Sequence, residues 1–308
     1  MKIFKYGTIT VTLLGILLAT TSIPGPATQP DETTTKKAAD IHNRVLTVDT
    51  HVDTPFMLDR EDFDIGKIND PLKRGGKVDF PRMKTGGLDA IFFAVYVGQA
   101  ERTPEGNEKA KNEALKVFDQ IHKAIEKYPE LVELAKTPED AYNIEKKGKR
   151  AIYIGLENGY PVGKDLSLVK KYYDLGARYI TLCHTANNDI CDSSTDKKGP
   201  EHNGLSAFGK EVVNEMNRLG MMIDISHISD KSFYDVLELS TAPVLATHSC
   251  ARALQNQPRN LSDDMLKKLA EKGGVVQVCF VQDYVKDLPQ PPGRDEAFKA
   301  LRQKYRSR

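Results

Sequence analysis

The sequence predicts an α/β protein with a (β/α)8 TIM-barrel fold, in which seven strands are identifiable and the eighth is missing. Seven short, β-rich apolar segments recur along the chain, and amphipathic helical segments lie between them. Most of the strand segments are continuously apolar, which is typical of parallel strands buried on both faces. Strands that alternate with helices indicate βαβ units. Seven strand segments in one series favour a barrel, and an open sheet stays the alternative.

The seven predicted strands are separated by helical patterns with apolar residues at three- and four-residue spacing. The helical patterns cover residues 108–128, 166–176, 205–220 and 261–274, the last with Ser262 as its predicted N-cap. The strands are RVLTVDTH (44–51), LDAIFFAVYVG (88–98), AIYIGLEN (151–158), RYITLCHT (178–185), GMMIDISH (220–227), PVLATH (243–248) and GGVVQVCFV (273–281).

No strand candidate follows Val281, where the chain becomes polar, proline-bearing and then helix-like. Either the barrel closes in another way, or the sequence is a C-terminally truncated piece of a longer protein. We expect truncation. An open seven-stranded barrel would leave two strand edges unpaired.

The composition is ordinary for a globular protein and provides ample material for a core. The 308 residues are 40% hydrophobic and 28% charged, and 44 basic against 43 acidic side chains leave a net charge of +1. This balance provides no basic surface for nucleic acid, so no nucleic-acid partner is predicted.

The N-terminal segment resembles a secretory signal peptide. Lys2 and Lys5 precede an uncharged run from Ile9 to Leu18, and small residues and prolines follow. The run is too short to span a bilayer comfortably, and an uncleaved anchor stays the alternative. We assign residues 1–27 to the signal peptide and 28–308 to one barrel domain that is incomplete at its C-terminus. This predicts an exported protein, periplasmic or secreted, with no stable membrane span after removal of the leader.

The four cysteines are distributed without a CxxC pair, so a zinc–thiolate site is not expected. Most of them are interpreted as buried thiols. The sequence leaves open whether any of the four form disulfides; they are Cys183, Cys191, Cys250 and Cys279.

Metal-ligand residue types fall at the C-terminal ends of five predicted strands, and active sites of TIM barrels lie at that face. A buried carboxylate such as Glu157 is costly unless it is paired or binds a metal. Imidazole and carboxylate suit zinc or a similar ion, and two such ions can share a hydroxide that is nucleophilic at neutral pH. The candidate residues are His51, Asp53, Glu157, His184, His227 and His248.

The first strand carries three ionisable residues at every second position. Successive residues of a strand point to opposite faces, so His51 and Asp53 share a side and can hold one ion. Asp49, one layer deeper on the same side, is interpreted as a residue that orients a ligand.

Together these stretches resemble the membrane (renal-type) dipeptidases, peptidase family M19, and specifically their bacterial members. The resemblance covers about residues 40 to 284 in the family's order. It is carried by VDTHVDTP, VDFPRMKTGGLDAIFFAVYVG, GLENGYPVGKDLSLVKKYYDLGARYITLCHTANNDICDSS, HNGLSAFGKEVVNEMNRLGMMIDISHIS, PVLATHSCARAL and PRNLSDDMLKKLAEKGGVVQV.

The resemblance implies a (β/α)8 metallohydrolase with two zinc ions. It implies that His51 and Asp53 bind the first ion, that Glu157 bridges both, and that His227 and His248 bind the second. His184 would bind substrate and stabilise the tetrahedral intermediate. For the substrate pocket the resemblance implies Arg259 and Tyr284. The family also uses an aspartate in a GSDFDG-like segment at its eighth strand, and this sequence contains no such segment.

We therefore expect a zinc-dependent dipeptidase that hydrolyses dipeptides outside the cytoplasm by a metal-bridging hydroxide, with Glu157 and His184 as catalytic residues. Family members often dimerise, so a homodimer is one expected state. The alternatives are another binuclear amidohydrolase-type enzyme, acting on a cyclic amide, a lactone or an N-acyl amino acid, and a truncated, non-catalytic metal-binding protein. An HxD start and a glutamate bridge argue against the other amidohydrolases. The preferred dipeptides stay open.

Overall fold

The computed structural model describes residues 31–73, 76–287 and 291–305. The predicted signal peptide, residues 1–27, lies outside the described residues. Helix α1 (Glu32–His42) falls mostly in a separate unit that ends at Ile41, and its residues are exposed. The chain from His42 onward forms one compact unit that contains the sheet and the candidate site.

The described residues form a single parallel sheet, which confirms the predicted α/β barrel class. Seven strands follow one another in the order β1-β2-β4-β5-β6-β7-β8, and β3 pairs with β4 beside this path. All seven predicted strands are present, whereas β3 was missed because it has only three residues. The strands are β1 (Val48–Val52), β2 (Ala90–Tyr96), β3 (Val132–Leu134), β4 (Arg150–Glu157), β5 (Ala177–Thr181), β6 (Met222–Asp224), β7 (Leu245–Ser249) and β8 (Val275–Val278).

The barrel is nearly closed, and a side chain bridges its remaining seam. No backbone pairing joins β8 to β1 within the described ranges. Instead, the Gln277 side chain donates to the carbonyl of Val48 (3.2 Å) and accepts from the backbone N–H of Thr50 (2.9 Å). Apolar side chains beside this seam are exposed, including Val275 and Val278 of β8. The two ends of the sheet are therefore unpaired edges, as the sequence predicted.

Helices alternate with most of the strands along the chain, and several of them begin at well-defined N-caps. Six of them start after an Asp, Ser or Thr whose side chain accepts a backbone N–H of the first turn, which satisfies a donor that the helix leaves free. These caps are Asp79, Thr103, Thr137, Ser206, Ser229 and the predicted Ser262. The helices are α2 (Phe80–Gly86), α3 (Pro104–Lys127), α4 (Pro138–Lys146), α5 (Ser167–Asp174), α6 (Ala207–Leu219), α7 (Asp230–Leu239), α8 (Asp263–Glu271), α9 (Gln282–Val285) and α10 (Arg294–Tyr305).

A compact aromatic layer forms part of the smaller of the two buried clusters. Phe92 stacks on Tyr153 with ring centroids 4.6 Å apart and lies 5.4 Å from the ring of Tyr179. Gly155 pairs with Tyr179 across β4 and β5 and leaves room for its ring. Because Tyr179 is fully buried and its hydroxyl reaches the candidate site, this layer supports the site directly.

The four cysteines are free thiols, and all except Cys279 are buried. This agrees with the interpretation of most of them as buried thiols. Among the described helices, none has both the length and the apolar content that crossing a membrane requires.

Candidate metal centre

Glu157 lies in the middle of a cluster of imidazoles and ends β4 as a buried carboxylate. One of its oxygens, Oε2, lies 3.5 Å from Nε2 of His51. The other oxygen, Oε1, lies 3.3 Å from Nε2 of His227 and 3.4 Å from Nε2 of His248. The two oxygens therefore face different imidazole groups, as a carboxylate that bridges two ions would.

His51 and Asp53 come from the end of β1, and the structure places them side by side. The strand stops at Val52, and a short 3-10 turn (Thr54–Met57) follows, because Pro55 cannot donate to a further strand pairing. Nε2 of His51 lies 3.6 Å from Oδ1 of Asp53. The Asp53 side chain is 58% exposed and that of His51 10%, so this end of the cluster opens to the cavity.

His227 and His248 approach each other closely, with 2.9 Å between their Nε2 atoms. His227 has a φ of 71°, a left-handed conformation that is uncommon for a residue with a side chain. Its carbonyl accepts the backbone N–H of Ser194, which helps to hold this turn after β6. Two lone pairs at this distance repel each other unless a proton or a cation lies between them.

The structure also allows a division of the ligands that differs from the predicted one. The donor atoms form one group of His51, Glu157 and His248 and another of Glu157, His184 and His227, each within 4.8 Å. The rings of His51 and His248 stack at 4.0 Å. The 2.9 Å between Nε2 of His227 and Nε2 of His248 is compatible with the predicted pairing of these two residues as well.

His184 lies at the same end of the barrel, three residues beyond β5. Its Nε2 is 3.6 Å from Oε1 of Glu157, and its Nδ1 is 3.4 Å from the hydroxyl of Tyr96. It is therefore close enough to the cluster to act either on a bound substrate or as a ligand.

Like His184, two further cluster histidines contact a hydroxyl through the ring nitrogen that faces away from Glu157. Nδ1 of His51 lies 3.1 Å from the hydroxyl of Tyr179, and Nδ1 of His248 lies 2.7 Å from Oγ1 of Thr247. A metal-binding histidine usually gives its second N–H to such a partner, which fixes the ring and the tautomer. In the described part of the chain, Nδ1 of His227 has no hydrogen-bond partner.

The predicted substrate residues line the same cavity, which has a volume of about 790 Å³. Arg259 is buried, and its Nη2 donates to the carbonyl of His248 at 3.1 Å. Its Nε is also buried and has no acceptor within the described residues. The guanidinium carbon lies 5.6 Å from the ring centre of Tyr284, so the aromatic side chain flanks the cation.

Burial is the largest cause that lowers the pKa of three of the four cluster imidazoles, those of His184, His227 and His248. Burial, together with the charge of Arg259, holds the pKa of His227 well below its usual value. Burial and the proximity of His51 do the same to the pKa of His248. Burial also lowers the pKa of His51, but the nearby carboxylates of Asp53 and Glu157 outweigh it, so that pKa is raised overall. Burial raises the pKa of Glu157 despite the nearby His51.

The donor set fits divalent metal. Neutral imidazoles offer lone pairs at Nε2, two carboxylates offer oxygens, and the close approach of His227 to His248 is what a shared cation would require. Imidazole with carboxylate suits zinc and similar ions. No thiolate belongs to either candidate group of donor atoms.

Sequence analysis interpreted Asp49 as a residue that orients a ligand, but it missed the other orienting residues. The carboxylate of Asp49 accepts the backbone N–H of His51 at 3.0 Å and so holds the strand end. The residues that contact ligand rings are Tyr179 and Thr247, and Asp224 lies behind Thr247. Only Asp224 carried a signal, as a carboxylate inside an apolar strand. Tyrosine and threonine are common in strands for other reasons.

A parallel barrel with this donor set at the C-terminal ends of its strands defines a metal-binding TIM-barrel protein. Residues 35–303 match the sequence profile of the membrane dipeptidases, peptidase family M19. The chain therefore belongs to the membrane dipeptidase family, in agreement with the resemblance seen in its motifs.

Known relatives support this membership. The chain is 34% identical over 225 residues to dipeptidase tcpJ of Claviceps purpurea, a match that covers 71% of this chain and 53% of that protein. It is 34% identical over 264 residues to the uncharacterized dipeptidase C965.12 of Schizosaccharomyces pombe, covering 81% and 62%. This chain thus spans less than two thirds of the length of these relatives.

A solved structure shows the same fold. The probable dipeptidase PvdM of Pseudomonas aeruginosa superposes with a TM-score of 0.78 at 29% identity, covering 89% of this chain and 69% of that one.

Proposed function

We propose that this chain is a zinc-dependent dipeptidase, or the barrel part of one, that hydrolyses dipeptides. The observation that carries the proposal is the buried Glu157, whose two oxygens face different imidazole groups at the C-terminal face of the barrel. Family membership and relatives named as dipeptidases support the substrate class. The proposed centre holds two zinc ions, with His51 and Asp53 on one, His227 and His248 on the other, and Glu157 between them.

Each remaining residue of the cavity has a role that follows from its position. Bound zinc would act as a Lewis acid and lower the pKa of water. His184 lies beside Glu157 and would hydrogen-bond the scissile carbonyl oxygen as negative charge develops on it. Arg259 would pair with the carboxylate of the substrate, using the buried Nε that has no acceptor in the described chain. Tyr284 flanks that cation and would close the pocket around a short peptide.

The proposal extends to where the enzyme acts. The basic, then apolar, then small-residue pattern of residues 1–27 supports export to the periplasm or the medium. Exported dipeptidase would meet extracellular peptides. A fusion of residues 1–40 to a reporter enzyme that is active only outside the cytoplasm tests this part separately.

The central experiment measures metal and substrate range on the same purified protein. We expect about two zinc ions per chain by elemental analysis, and hydrolysis of dipeptides but not of tripeptides. Panels of N-acyl amino acids, lactones and cyclic amides test the alternative amidohydrolase activities. If the protein binds metal but hydrolyses only compounds of one of those panels, the dipeptidase proposal is wrong and the corresponding amidohydrolase activity takes its place. If it binds no metal, the proposed metal centre is wrong.

A further inference from the structure

Asp224 is a fully buried carboxylate behind the candidate metal centre. It accepts hydrogen bonds from Thr181, Ser226 and Thr247. Its Oδ1 accepts the backbone N–H groups of Ser226 and Thr247, each at 3.0 Å, and the hydroxyl of Ser226 at 2.8 Å. Its Oδ2 accepts the hydroxyls of Thr181 at 2.5 Å and Thr247 at 2.7 Å. The carboxylate therefore connects β5, β6 and β7.

The direction of these hydrogen bonds determines the state of His248. An ionised carboxylate only accepts hydrogen bonds, so the Thr247 hydroxyl must give its hydrogen to Asp224. The lone pairs of that hydroxyl then face Nδ1 of His248 at 2.7 Å, so Nδ1 must carry the ring hydrogen. Nε2, which points towards Glu157, is left with its lone pair free.

We propose that Asp224 and Thr247 form a positioning relay that holds His248 in the tautomer able to bind metal through Nε2. Neither residue belongs to the two candidate groups of donor atoms, so both would act on the metal through His248. The inference deepens the proposed metal centre and rests on it. A metal ligand oriented by a carboxylate gains both a fixed ring and a more basic nitrogen, and loss of such a partner typically lowers metal affinity about 10–100-fold.

A purely structural role is the competing explanation. β6 and β7 share a single residue pair, Asp224 with Leu245, so the carboxylate also joins strands that have few backbone hydrogen bonds. If that were its whole purpose, altering Asp224 would change stability and leave the metal affinity of the folded protein unaltered.

The substitution Asp224→Asn separates the two explanations. It keeps the shape of the side chain but reverses the direction of the hydrogen bonds that run from Asp224 through Thr247 to His248. Two backbone N–H groups require an oxygen at the Oδ1 position, so the amide nitrogen must occupy the position of Oδ2. There it donates to the hydroxyls of Thr181 and Thr247, which can rotate. The Thr247 hydroxyl then donates to Nδ1 of His248, which places the ring hydrogen on Nε2 and blocks metal binding.

Three threonine variants provide matched controls. Thr247→Val removes the hydroxyl that contacts His248, whereas Thr247→Ser keeps it. Thr181→Val also removes one donor to Oδ2 of Asp224, but among the described residues the hydroxyl that hydrogen-bonds Nδ1 of His248 is that of Thr247. We therefore expect weakened metal binding in Thr247→Val, rescue in Thr247→Ser, and unaltered metal binding in Thr181→Val.

The test uses the full chain with zinc and with cobalt, titrated in competition with a chromophoric chelator. We expect affinity at one site to fall about 10–100-fold in Asp224→Asn and Thr247→Val. Asp224→Asn should add nothing further in the Thr247→Val background, since both break the same relay. Nitrogen-15 NMR of the metal-free histidines should locate the His248 ring hydrogen on Nδ1 in wild type and on Nε2 in Asp224→Asn.

Several outcomes would overturn the relay. It is wrong if Thr181→Val loses as much affinity as Thr247→Val, if Asp224→Asn binds metal as wild type does, or if wild-type His248 carries its hydrogen on Nε2. Urea unfolding of the metal-free variants identifies any that do not fold, and the NMR result on wild type decides the question even then. Wild-type protein that binds no metal would refute the proposed centre, and the relay with it.

Discussion

Replacement of Gly155 by alanine should damage the candidate site from beneath, although Gly155 contacts no proposed ligand. The glycine lies in β4 opposite Tyr179 of β5. A Cβ at this position would lie 2.0 Å from Cζ of Tyr179 and 2.3–2.4 Å from its two Cε atoms. Ordinary contact begins at 3.4 Å, so the ring must move. The ring is fully buried, with Phe92 against it and its hydroxyl 3.1 Å from Nδ1 of His51.

The loss of folding stability in Gly155→Ala has two parts. Forcing an extra methyl group into a packed core costs about 1–3 kcal/mol. Moving the ring also breaks the hydrogen bond between Tyr179 and His51, which contributes about 1 kcal/mol. Together these lower the free energy of unfolding by roughly 2–4 kcal/mol. Loss of the contact to His51 should separately weaken binding at its metal site about 10–100-fold.

Urea unfolding of the metal-free protein measures the first effect, and chelator competition measures the second. Gly86→Ala is the matched control, because a Cβ there meets no atom within 4 Å. Tyr179→Phe should weaken metal binding without the clash. In a Tyr179→Leu background the cost of Gly155→Ala should shrink, because the clashing atoms lie beyond the reach of a leucine side chain. If Gly155→Ala unfolds and binds metal as wild type does, Tyr179 does not support His51 as described.

Two further predictions concern the cavity. Glu157→Gln should lower the occupancy of both metal sites together, whereas His248→Ala should mainly empty one, because Glu157 faces both imidazole groups. Elemental analysis after dialysis measures the metal content of each variant. Equal losses in the two variants would contradict a bridging role for Glu157. Arg259→Lys keeps the charge but not the paired N–H groups, so kcat/KM for dipeptides should fall about 10–100-fold. A C-terminally amidated dipeptide is the control: if the substitution lowers its kcat/KM equally, Arg259 does not bind the substrate carboxylate.

The fold was largely predictable because buried parallel strands have a strong local signal. Apolar runs such as residues 88–98 and 151–158 are rich in β-branched and aromatic residues, which favours a strand over a helix. β3 was missed because three residues carry no periodicity. The bridge from Gln277 to Val48 and Thr50 was also beyond prediction. A glutamine in an apolar strand indicates a buried amide, but its partners are more than 220 residues away in sequence.

The candidate ligands could be identified from sequence because each is an ionisable residue that ends an apolar strand, and the barrel brings those ends together. Apart from Asp49, which lies on the same strand as His51, their orienting partners could not be identified, since each such contact depends on which residues neighbouring strands place side by side. Tyr179 reaches His51 only because the residue opposite it is Gly155. Asp224 reaches His248 only because Thr247 lies between them. Residue type thus suggests what can bind a metal, while strand register decides which nitrogen is presented to it, and that second property is the one that the Gly155 and Asp224 variants test.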